Sequence, residues 1–425
     1  MIAEIRSKFK SKERKRLLSN FVSLSALQAA NFILPLITIP YLLRVLGVEY
    51  FGLLALATAM IAFFGIITDY GFNLTATREI SIHRDNKEKV IEIFSSVMTI
   101  KFFLMFVSFF LLTILVFSFE KLSQHWLIYF LSFGTVIGQF LFPLWFFQGM
   151  ERMKYITYLN ILAKSIFTLS VFIFIKEKSD FWIAPLLTSM GFIIAGICSL
   201  YLIRKRFDVS FVFQKTESLK YYLFDGWDIF LSRIFGYLYR NSNIIILGIL
   251  TNNIFVGYYA IAEKVIKILQ TLQDVFGNVL FPYVTKKFKN NKNYFFILNK
   301  KYLKYIFSAY AILFLMVLIF SKLIVLFLNG SYNSSIILDL QIMSLVIVIG
   351  GLNYYFGILG LVSLNYKKEF SRYIVNTGLF NVVFCTISIY LFNDLGAAII
   401  FVLSEVVLLT QILFKINQIK RSFNA

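Results

Sequence analysis

The sequence predicts an all-α membrane protein with about 12 transmembrane helices, arranged as two six-helix bundles around a central cavity. Of its 425 residues, 59% are hydrophobic and 15% are charged, whereas a soluble domain carries about a quarter charged residues. The apolar residues form runs long enough to cross a bilayer, and the basic residues are distributed unevenly between these runs. Together these observations exclude soluble, disordered and disulfide-rich secreted proteins.

Twelve apolar runs are the predicted transmembrane helices, because a helix of about 20 residues crosses the bilayer core. The first run is too long for a removable signal and has no small-residue cleavage site after it, so we expect a transmembrane helix there. None of the runs shows the alternation that indicates transmembrane β-strands. The runs cover residues 19–43, 50–69, 93–118, 126–149, 159–176, 181–203, 226–250, 254–284, 302–327, 336–363, 372–392 and 396–418.

The distribution of basic residues predicts the orientation of the chain in the membrane. Cytoplasmic connections of membrane proteins carry an excess of lysine and arginine. With the bases at the edges of the runs included, 30 of the 42 lie in the two tails and in connections after even-numbered runs, and four lie in connections after odd-numbered runs. Both termini are therefore predicted to be cytoplasmic. Because orientation explains most of the net charge of +20, we expect no nucleic-acid partner.

A short repeated pattern divides the predicted helices into two halves. Residues 52–57 and 257–262 both read G-x-x-A-x-A at the start of an even-numbered run, six runs apart. An even offset gives the two halves the same orientation, so the repeats are parallel. The long connection at 204–225 lies between the halves. We therefore expect an N-terminal bundle at 1–208 and a C-terminal bundle at 209–425, with a cavity between them.

Two arginines in the seventh run are candidates for a substrate site. Arg233 and Arg240 are seven residues apart, which is a rotation of about 700° and places both on one helix face. Guanidinium groups stay charged and bind phosphate oxygens through paired hydrogen bonds. The pair therefore fits a phosphate or pyrophosphate. The alternatives are an ion pair with Asp228 or with an acid on a neighbouring helix, or extension of one arginine to the membrane surface.

The eighth run carries a stripe of polar residues on one helix face. A membrane helix with such a stripe faces water or other polar groups rather than lipid, so the stripe predicts a water-filled path. The alternative is an internal ion pair between residues 263 and 267, which would neutralise both charges. The stripe and the base beside it are Glu263, Lys267, Gln270, Asp274, Asn278 and Lys264.

Further polar residues in or near the runs are weaker candidates. Asp339 and Glu405 are acids within runs, where such residues often carry a coupling proton or cation. Arg78 lies in a connection, where contact with lipid headgroups is the alternative to substrate binding. The others are Asp69, Lys101, Lys164 and, in the first run, Asn31.

Three stretches of the chain share their pattern with a known family. Residues 69–80 read DYGFNLTATREI, residues 145–153 read WFFQGMERM, and residues 239–243 read YRNSN, followed by VGYYAIAEK at 256–264. Together they resemble bacterial polysaccharide flippases, which export lipid-linked O-antigen and capsule oligosaccharides. That family belongs to the multidrug/oligosaccharidyl-lipid/polysaccharide exporter superfamily, and the resemblance covers essentially the whole chain.

The resemblance implies a fold, a cargo and a location. The fold is two six-helix bundles in a V shape, with a cavity that opens to each side of the membrane in turn. The cargo is an undecaprenyl-pyrophosphate-linked oligosaccharide, moved from the inner to the outer leaflet of the bacterial cytoplasmic (inner) membrane. Expected partners are this substrate, membrane lipid, a polymerase and other polysaccharide-assembly proteins.

The family's cavity is cationic, which agrees with the basic residues found in the runs. The chain departs from the family because its first run contains no comparable arginine, so the family's pyrophosphate site does not transfer whole. The expected substrate-binding residues are Arg233, Arg240, Lys264, Lys267 and Arg78. The expected ion-coupling or polar cavity residues are Glu263, Asp274, Gln270, Asn31 and Asp69.

The sequence contains no nucleotide-binding loop and no catalytic constellation, so we expect a transporter rather than an enzyme. Energy would come from an H+ or Na+ gradient or from removal of the product. With two cysteines and two histidines, no metal site or other cofactor is expected.

Other functions remain open from the sequence. An exporter of a peptidoglycan lipid precursor or of drugs would belong to the same superfamily, although a cationic cavity repels cationic drugs. A membrane glycan polymerase or acyltransferase would need a larger outer loop than these connections provide. A purely structural membrane subunit would leave the polar stripe unexplained.

Overall fold

Helices account for almost all of the described chain in the computed structural model. The structure describes the backbone of residues 2–290 and 293–424. Side chains are described from residue 28 onward, except at residues 29, 31, 32, 272, 274–276, 278, 279, 282, 283, 289–293, 298, 300 and 422–425. No β-strand occurs in these described ranges, and the predicted all-α class is confirmed for them.

Fourteen α-helices, one 3₁₀-helix and one π-helix follow one another along the described chain. The 3₁₀-helix is Lys178–Trp182 and the π-helix is Tyr354–Val362. The α-helices are α1 (Ile2–Asp69), α2 (Phe72–His83), α3 (Lys87–Ser118), α4 (Glu120–Ser123), α5 (Trp126–Leu141), α6 (Leu144–Gly149), α7 (Met153–Phe174), α8 (Ile183–Phe207), α9 (Thr216–Leu250), α10 (Asn253–Asn290), α11 (Asn293–Asn329), α12 (Ser334–Met343), α13 (Leu345–Asn353) and α14 (Lys367–Asn424).

Two of these helices are kinked where the sequence predicts a connection between runs. α1 has 68 residues and is interrupted at Gly47, with φ 78° and ψ 171°. α14 has 58 residues and is interrupted at Asn393, with φ 50° and ψ −126°. Glycine adopts positive φ without steric cost, and asparagine tolerates it better than most residues. Each kink therefore divides a long helix into two parts, each long enough to cross a bilayer.

Eight helical segments of the described chain are long and apolar enough to cross a membrane. α9 and α10, which contain the seventh and eighth predicted runs and most of the candidate charges, are not among them. The prediction of a helical, multi-pass membrane protein is thus confirmed, whereas the number twelve and the cytoplasmic termini stay predictions. The eight segments are Ile33–His83, Lys87–Ser118, Trp126–Gly149, Met153–Phe174, Lys178–Phe207, Lys301–Asn329, Ser334–Val362 and Lys367–Arg421.

Contacts within the chain define two compact units. Relative to the predicted bundles, residues 46–59 join the second unit and residues 209–234 join the first. The boundary after residue 208 is predicted for the two six-helix bundles, not for these contact-defined units, and it stays a prediction. Unit 1 consists of Met1–Val45 and Met60–Ile234, and unit 2 consists of Leu46–Ala59 and Phe235–Ala425.

Small residues hold segment 46–59 against the other helices of unit 2. A Cβ atom added to Gly52 would lie 2.6 Å from the backbone nitrogen of Gly257, and one added to Gly248 would lie 2.6 Å from Cδ2 of Leu56. Gly52 and Gly257 begin the two matching G-x-x-A-x-A segments. The two copies of the repeat therefore pack on each other, backbone against backbone, because neither glycine has a side chain.

Aromatic residues of α6 form the centre of the core in unit 1. Trp145, Phe146 and Phe147 are fully buried and pack in one cluster with Phe72 of α2. The hydroxyl of Thr77 donates to the main-chain oxygen of Trp145 at 3.2 Å. These contacts hold α2 against α6, and they thereby position the polar residues that lie where α1 ends and α2 begins.

Candidate functional site: charged clusters of the membrane helices

One cluster of charged residues in unit 1 surrounds Asp69, the last residue of α1. Lys101 Nζ of α3 lies 3.5 Å from Asp69 Oδ1, and Arg233 of α9 forms an ion pair with Oδ2. Asn73 Nδ2 donates to the same oxygen at 3.0 Å. We call these four residues the Asp69 cluster. Two bases therefore share one acid in this cluster.

The backbone turns sharply beside Asp69. Tyr70 and Gly71 both have positive φ, 51° and 87°, and this turn ends α1 and starts α2. The left-handed conformation is open to glycine but strained for tyrosine. Tyr70 is held there by its ring, which stacks on Phe230 of α9 with centroids 4.5 Å apart. The turn therefore brings Asp69 next to the α9 segment that carries Arg233.

The structure answers one question that the sequence leaves open about Arg233. Its acidic partner is Asp69, on a neighbouring helix, and among the described contacts it makes no ion pair with Asp228. The Arg233 side chain is 36% exposed, whereas that of Lys101 is 4% exposed. Lys101 is thus a buried counter-charge, and Arg233 combines an ion pair with an accessible guanidinium group.

Arg78 is held by two acids in unit 1. Its Nη2 lies 2.9 Å and 3.0 Å from the two carboxylate oxygens of Asp225, and 3.0 Å from Glu79 Oε1. The Arg78 side chain is 53% exposed. These contacts connect α2 to α9 and surround the arginine with negative charge. They do not test the predicted role of Arg78 in substrate binding, which stays a prediction.

Two further ion pairs join the connections of unit 1. Arg84 Nη1 lies 2.9 Å from Glu151 Oε1, and Lys87 forms an ion pair with Asp208. The Lys87 ammonium group lowers the pKa of the exposed Asp208 carboxyl, through a hydrogen bond and its positive charge. These pairs lie at the ends of helices, and they stabilise connections rather than a binding site.

A second cluster lies in unit 2, between α9 and α10. Lys267 Nζ is 2.9 Å from Glu263 Oε2, one turn earlier on α10, and it donates to Asn241 Oδ1 of α9 at 3.0 Å. Glu263 is buried, and its other oxygen, Oε1, has no hydrogen-bond partner among the described residues. We call these three residues the Glu263 cluster. The internal ion pair that the sequence offers as an alternative is therefore present.

The two remaining predicted bases form no ion pair with the described side chains. Lys264 Nζ lies over the ring of Phe51, 5.1 Å from its centroid, which is a cation–π contact. Arg240 is exposed, and the described part of the chain offers it no hydrogen bond or ion pair. Arg240 is thus the predicted substrate-binding base whose guanidinium group is most available to an added anion.

Three residues of the predicted site lie outside the described side chains. They are Asn31, Asp274 and Asn278, so nothing is added to their predicted roles. Gln270 is described and is partly buried. A Cβ atom added to Gly350 would lie 3.4 Å from Gln270 Nε2 and 3.6 Å from Glu405 Oε2. Gln270 is therefore directed toward α13 and α14.

Buried polar contacts in unit 2 go beyond what the sequence reasoning identified. The Tyr239 hydroxyl donates to Glu405 Oε1 at 2.7 Å, and the Ser242 hydroxyl donates to Asn381 Oδ1 at 2.8 Å. Asn243 Nδ2 donates to the Tyr259 hydroxyl at 3.1 Å. The signal for these contacts in the sequence is the run of polar residues at 239–243.

Metal ligands are sparse in the described residues. They contain no group of three or more histidine, cysteine, aspartate or glutamate side chains that could hold a metal ion. Cys198 and Cys385 are free thiols. The charged clusters offer positive charge and hydrogen bonds to a ligand.

Comparison with known sequences identifies relatives along most of the chain. The family described as "Polysaccharide biosynthesis protein" matches residues 17–288. A protein of Escherichia coli (strain K12) named "Putative O-antigen transporter" is 31% identical over 389 residues, which cover 91% of this chain and 93% of that protein. A Shigella dysenteriae protein of the same name is 28% identical over 269 residues, which cover 63% of this chain and 67% of that protein.

Two solved structures with similar folds are a flippase and a multidrug transporter. The lipid II flippase MurJ, in an inward closed conformation, aligns with a TM-score of 0.70 at 12% identity, covering 94% of this chain and 87% of that one. An inward-facing multidrug resistance MATE transporter of the MOP superfamily aligns with a TM-score of 0.68 at 15% identity, covering 95% and 99%. At these identities the similarity establishes the fold and leaves the cargo open.

Proposed function

This chain belongs to the polysaccharide biosynthesis protein family, and from that premise we propose that it is a flippase for a lipid-linked oligosaccharide. The cargo is an undecaprenyl-pyrophosphate-linked O-antigen or capsule repeat unit, moved from the inner to the outer leaflet of the bacterial inner membrane. The names of the curated relatives, which are transporters rather than enzymes, support this proposal.

The proposed protein crosses the membrane twelve times, with both termini in the cytoplasm. Of the eight membrane segments, Ile33–His83 and Lys367–Arg421 have 51 and 55 residues, about twice the length of one crossing. Their kinks at Gly47 and Asn393 support two crossings each. α9 and α10, with 35 and 38 residues, would supply the last two. An even number of crossings agrees with the excess of bases in both tails.

The single observation that carries the proposed cargo is the unpaired positive charge on α9 and α10. The described charged residues that the sequence predicted there in unit 2 are Arg240, Lys264 and Lys267, with one acid, Glu263. A pyrophosphate supplies the negative charge that this arrangement lacks, and arginine binds phosphate oxygens through paired hydrogen bonds. Arg240 is the proposed first contact, with Lys264 and Lys267 as secondary contacts.

Alternating access is the proposed mechanism, with the polar residues exposed to each side of the membrane in turn. We expect a coupled H+ or Na+ gradient to supply energy, together with removal of the cargo by a polymerase or another polysaccharide-assembly protein. Asp69, Gln270 and Glu263 are polar groups on the helices that would move.

A second candidate cargo is a peptidoglycan lipid precursor. It is favoured by one observation, the similarity of fold to a lipid II flippase. Both cargoes carry a prenyl pyrophosphate, so the charges of α9 and α10 fit either one. The sugars distinguish them.

A reconstitution assay tests the proposal. Purified protein in liposomes is given fluorescent undecaprenyl-pyrophosphate-linked oligosaccharide, and the fraction that reaches the outer leaflet is measured with a membrane-impermeant sugar-modifying reagent. We expect Arg240→Gln to lower the affinity for cargo by roughly 10- to 100-fold, since a hydrogen-bonded charge contributes about 1.5–3 kcal/mol. Lipid II in parallel liposomes tests the second cargo.

Arg372→Gln is the matched control. Arg372 is also an exposed arginine, at the start of α14, and it forms no ion pair among the described residues. Transport should be unchanged in this variant. Equal loss of transport in both variants would contradict the proposed site. Movement of lipid II, but of no oligosaccharide carried on undecaprenyl pyrophosphate, would contradict the proposed cargo.

A further inference from the structure

Glu405 of α14 is a buried carboxyl group with neutral hydrogen-bond donors around it. It is 6% exposed. Its Oε1 accepts a hydrogen bond from the Tyr239 hydroxyl at 2.7 Å, and its Oε2 accepts one from Asn353 Nδ2 at 2.6 Å. Tyr239 is buried on α9 next to Arg240, and Asn353 is the last residue before the π-helix Tyr354–Val362.

The surroundings of Glu405 favour protonation of its carboxylate, which removes the negative charge. Within the described side chains it forms no ion pair, and a buried unpaired carboxylate is costly. From α9 it is faced by the Tyr239 phenol and, at longer range, by the Arg240 guanidinium. Asn353 of α13 and Gln270 of α10 face it as neutral groups. Tyr239 and Arg240 are thus the titratable or charged described groups that face it.

Both protonation states of Glu405 can be satisfied by the same neighbours. A hydroxyl both donates and accepts, so Tyr239 can donate to the carboxylate or accept from the protonated acid. Asn353 is 5% exposed, and its Oδ1 has no hydrogen-bond partner among the described residues. Rotation of the amide would direct that oxygen at the proton of a neutral Glu405, and it would also break the hydrogen bond from Nδ2 to the main-chain oxygen of Glu405 at 2.9 Å. An unpartnered buried acceptor is therefore already next to the carboxyl group.

The same contacts fit a proton better than a metal cation. Na+ or another hard cation needs several free oxygen ligands. Here both Glu405 oxygens already accept hydrogen bonds, and the groups directed at them are an O–H and an N–H. A bound cation would have to displace these donors, whereas a proton only reverses the direction of a hydrogen bond.

Proton binding at Glu405 changes the charge that a ligand of Arg240 experiences. Arg240 directly follows Tyr239, whose hydroxyl donates to Glu405 Oε1, so ionised Glu405 opposes the positive charge of Arg240 and neutral Glu405 does not. We propose that Glu405 binds a proton and that this proton strengthens the binding of an anionic headgroup at Arg240. The inference rests on the proposed function, since the anion is taken to be the pyrophosphate of the cargo. Binding is reciprocal, so the anion also strengthens proton binding.

Farnesyl pyrophosphate is a suitable probe for the full-length protein in detergent. Wild type should bind it more weakly as the pH rises, by about 5- to 150-fold in total, the usual range of coupling between sites. Glu405→Gln replaces the carboxyl group with an amide that resembles the neutral acid. Its affinity for farnesyl pyrophosphate should stay high, and the pH dependence that remains should come only from the titration of the probe itself. Wild type should also take up more protons on binding than Glu405→Gln at the same pH.

Glu369→Gln is the control, because Glu369 is a partly exposed acid of the same helix that pairs with Lys415 at 3.7 Å. It should keep the pH dependence of the wild type. The same pH dependence in Glu405→Gln as in wild type would overturn the proposal. If Glu405→Gln does not fold, Tyr239→Phe is measured instead, and an unchanged pH dependence in that variant would overturn it equally.

Infrared difference spectra of the wild type separate the proton site from the cargo. A band of a protonated carboxylic acid that is missing from Glu405→Gln should appear in wild type as the pH is lowered, without any ligand, and should grow when farnesyl pyrophosphate is added. Absence of this band contradicts the proton site. If the band appears as the pH is lowered but the protein binds no prenyl pyrophosphate at any pH, the proposed cargo is contradicted and the proton site is still supported.

Discussion

Asp69→Asn should destabilise the protein strongly, because it removes the acid that Lys101 and Arg233 share. Lys101 Nζ lies 3.5 Å from Asp69, and the two side chains are 4% and 13% exposed. At that distance, an effective dielectric constant of about 20 gives an attraction of roughly 5 kcal/mol. Removing one partner of a buried pair typically costs about 3–5 kcal/mol, since the other charge stays buried. We expect a loss of that size.

The free energy of unfolding can be measured by titration with SDS in mixed micelles. Lys101→Met should cost less than Asp69→Asn, because Asp69 keeps Arg233. The double variant Asp69→Asn, Lys101→Met should recover most of the loss, since no buried lysine remains. Asp225→Asn is the control and should cost at most about 1 kcal/mol, because its partner Arg78 is half exposed. An Asp69→Asn variant as stable as wild type, or a double variant no better than Asp69→Asn, would refute the reasoning.

Two more predictions concern packing and charge in unit 2, with the same unfolding measurement. Gly52→Ala should lower the free energy of unfolding by roughly 1–3 kcal/mol, since its Cβ would meet the backbone of Gly257. Gly236→Ala is the control and should be neutral or stabilising, because a Cβ at Gly236 meets nothing within 4 Å. Equal effects of the two substitutions would contradict the close packing. Lys267→Gln should cost about 1–3 kcal/mol, because Glu263 is buried while Lys267 is 37% exposed. Adding Glu263→Gln should restore stability, and a double variant less stable than Lys267→Gln would show that the ion pair is not the cause.

The membrane segments were predictable because length and hydropathy are local properties of the chain. The kinks at Gly47 and Asn393 coincide with the gaps between predicted runs, and the polar stripe on α10 includes the ion pair that its spacing allows. The sequence did not reveal that residues 46–59 pack with α9 and α10. The repeat at Gly52 and Gly257 is visible in the sequence, but a repeated sequence does not predict that its two copies are in contact.

The charge partners were harder to predict because they are distant in sequence. Asp69 and Arg233 are 164 residues apart, and Tyr239 and Glu405 are 166 apart. Asp69, Arg233 and Glu405 each stand out in the sequence as charged residues of a run, whereas Tyr239 appears only in the family motif at 239–243. Their pairing depends on which helices are neighbours, and one sequence gives no measure of that. By contrast, Glu263 and Lys267 are one turn apart on a helix, so their ion pair was already among the alternatives.

Pairing also decides which bases can bind cargo with little cost. If a pyrophosphate draws Lys267 away from Glu263, it leaves a buried carboxylate without its cation, and that opposes binding by up to a few kcal/mol. Arg240 forms no ion pair among the described residues, so it breaks no such contact when it binds an anion. The two assays should therefore rank the same two substitutions in opposite order. Arg240→Gln should weaken cargo binding more than Lys267→Gln, while Lys267→Gln should lower the free energy of unfolding more than Arg240→Gln.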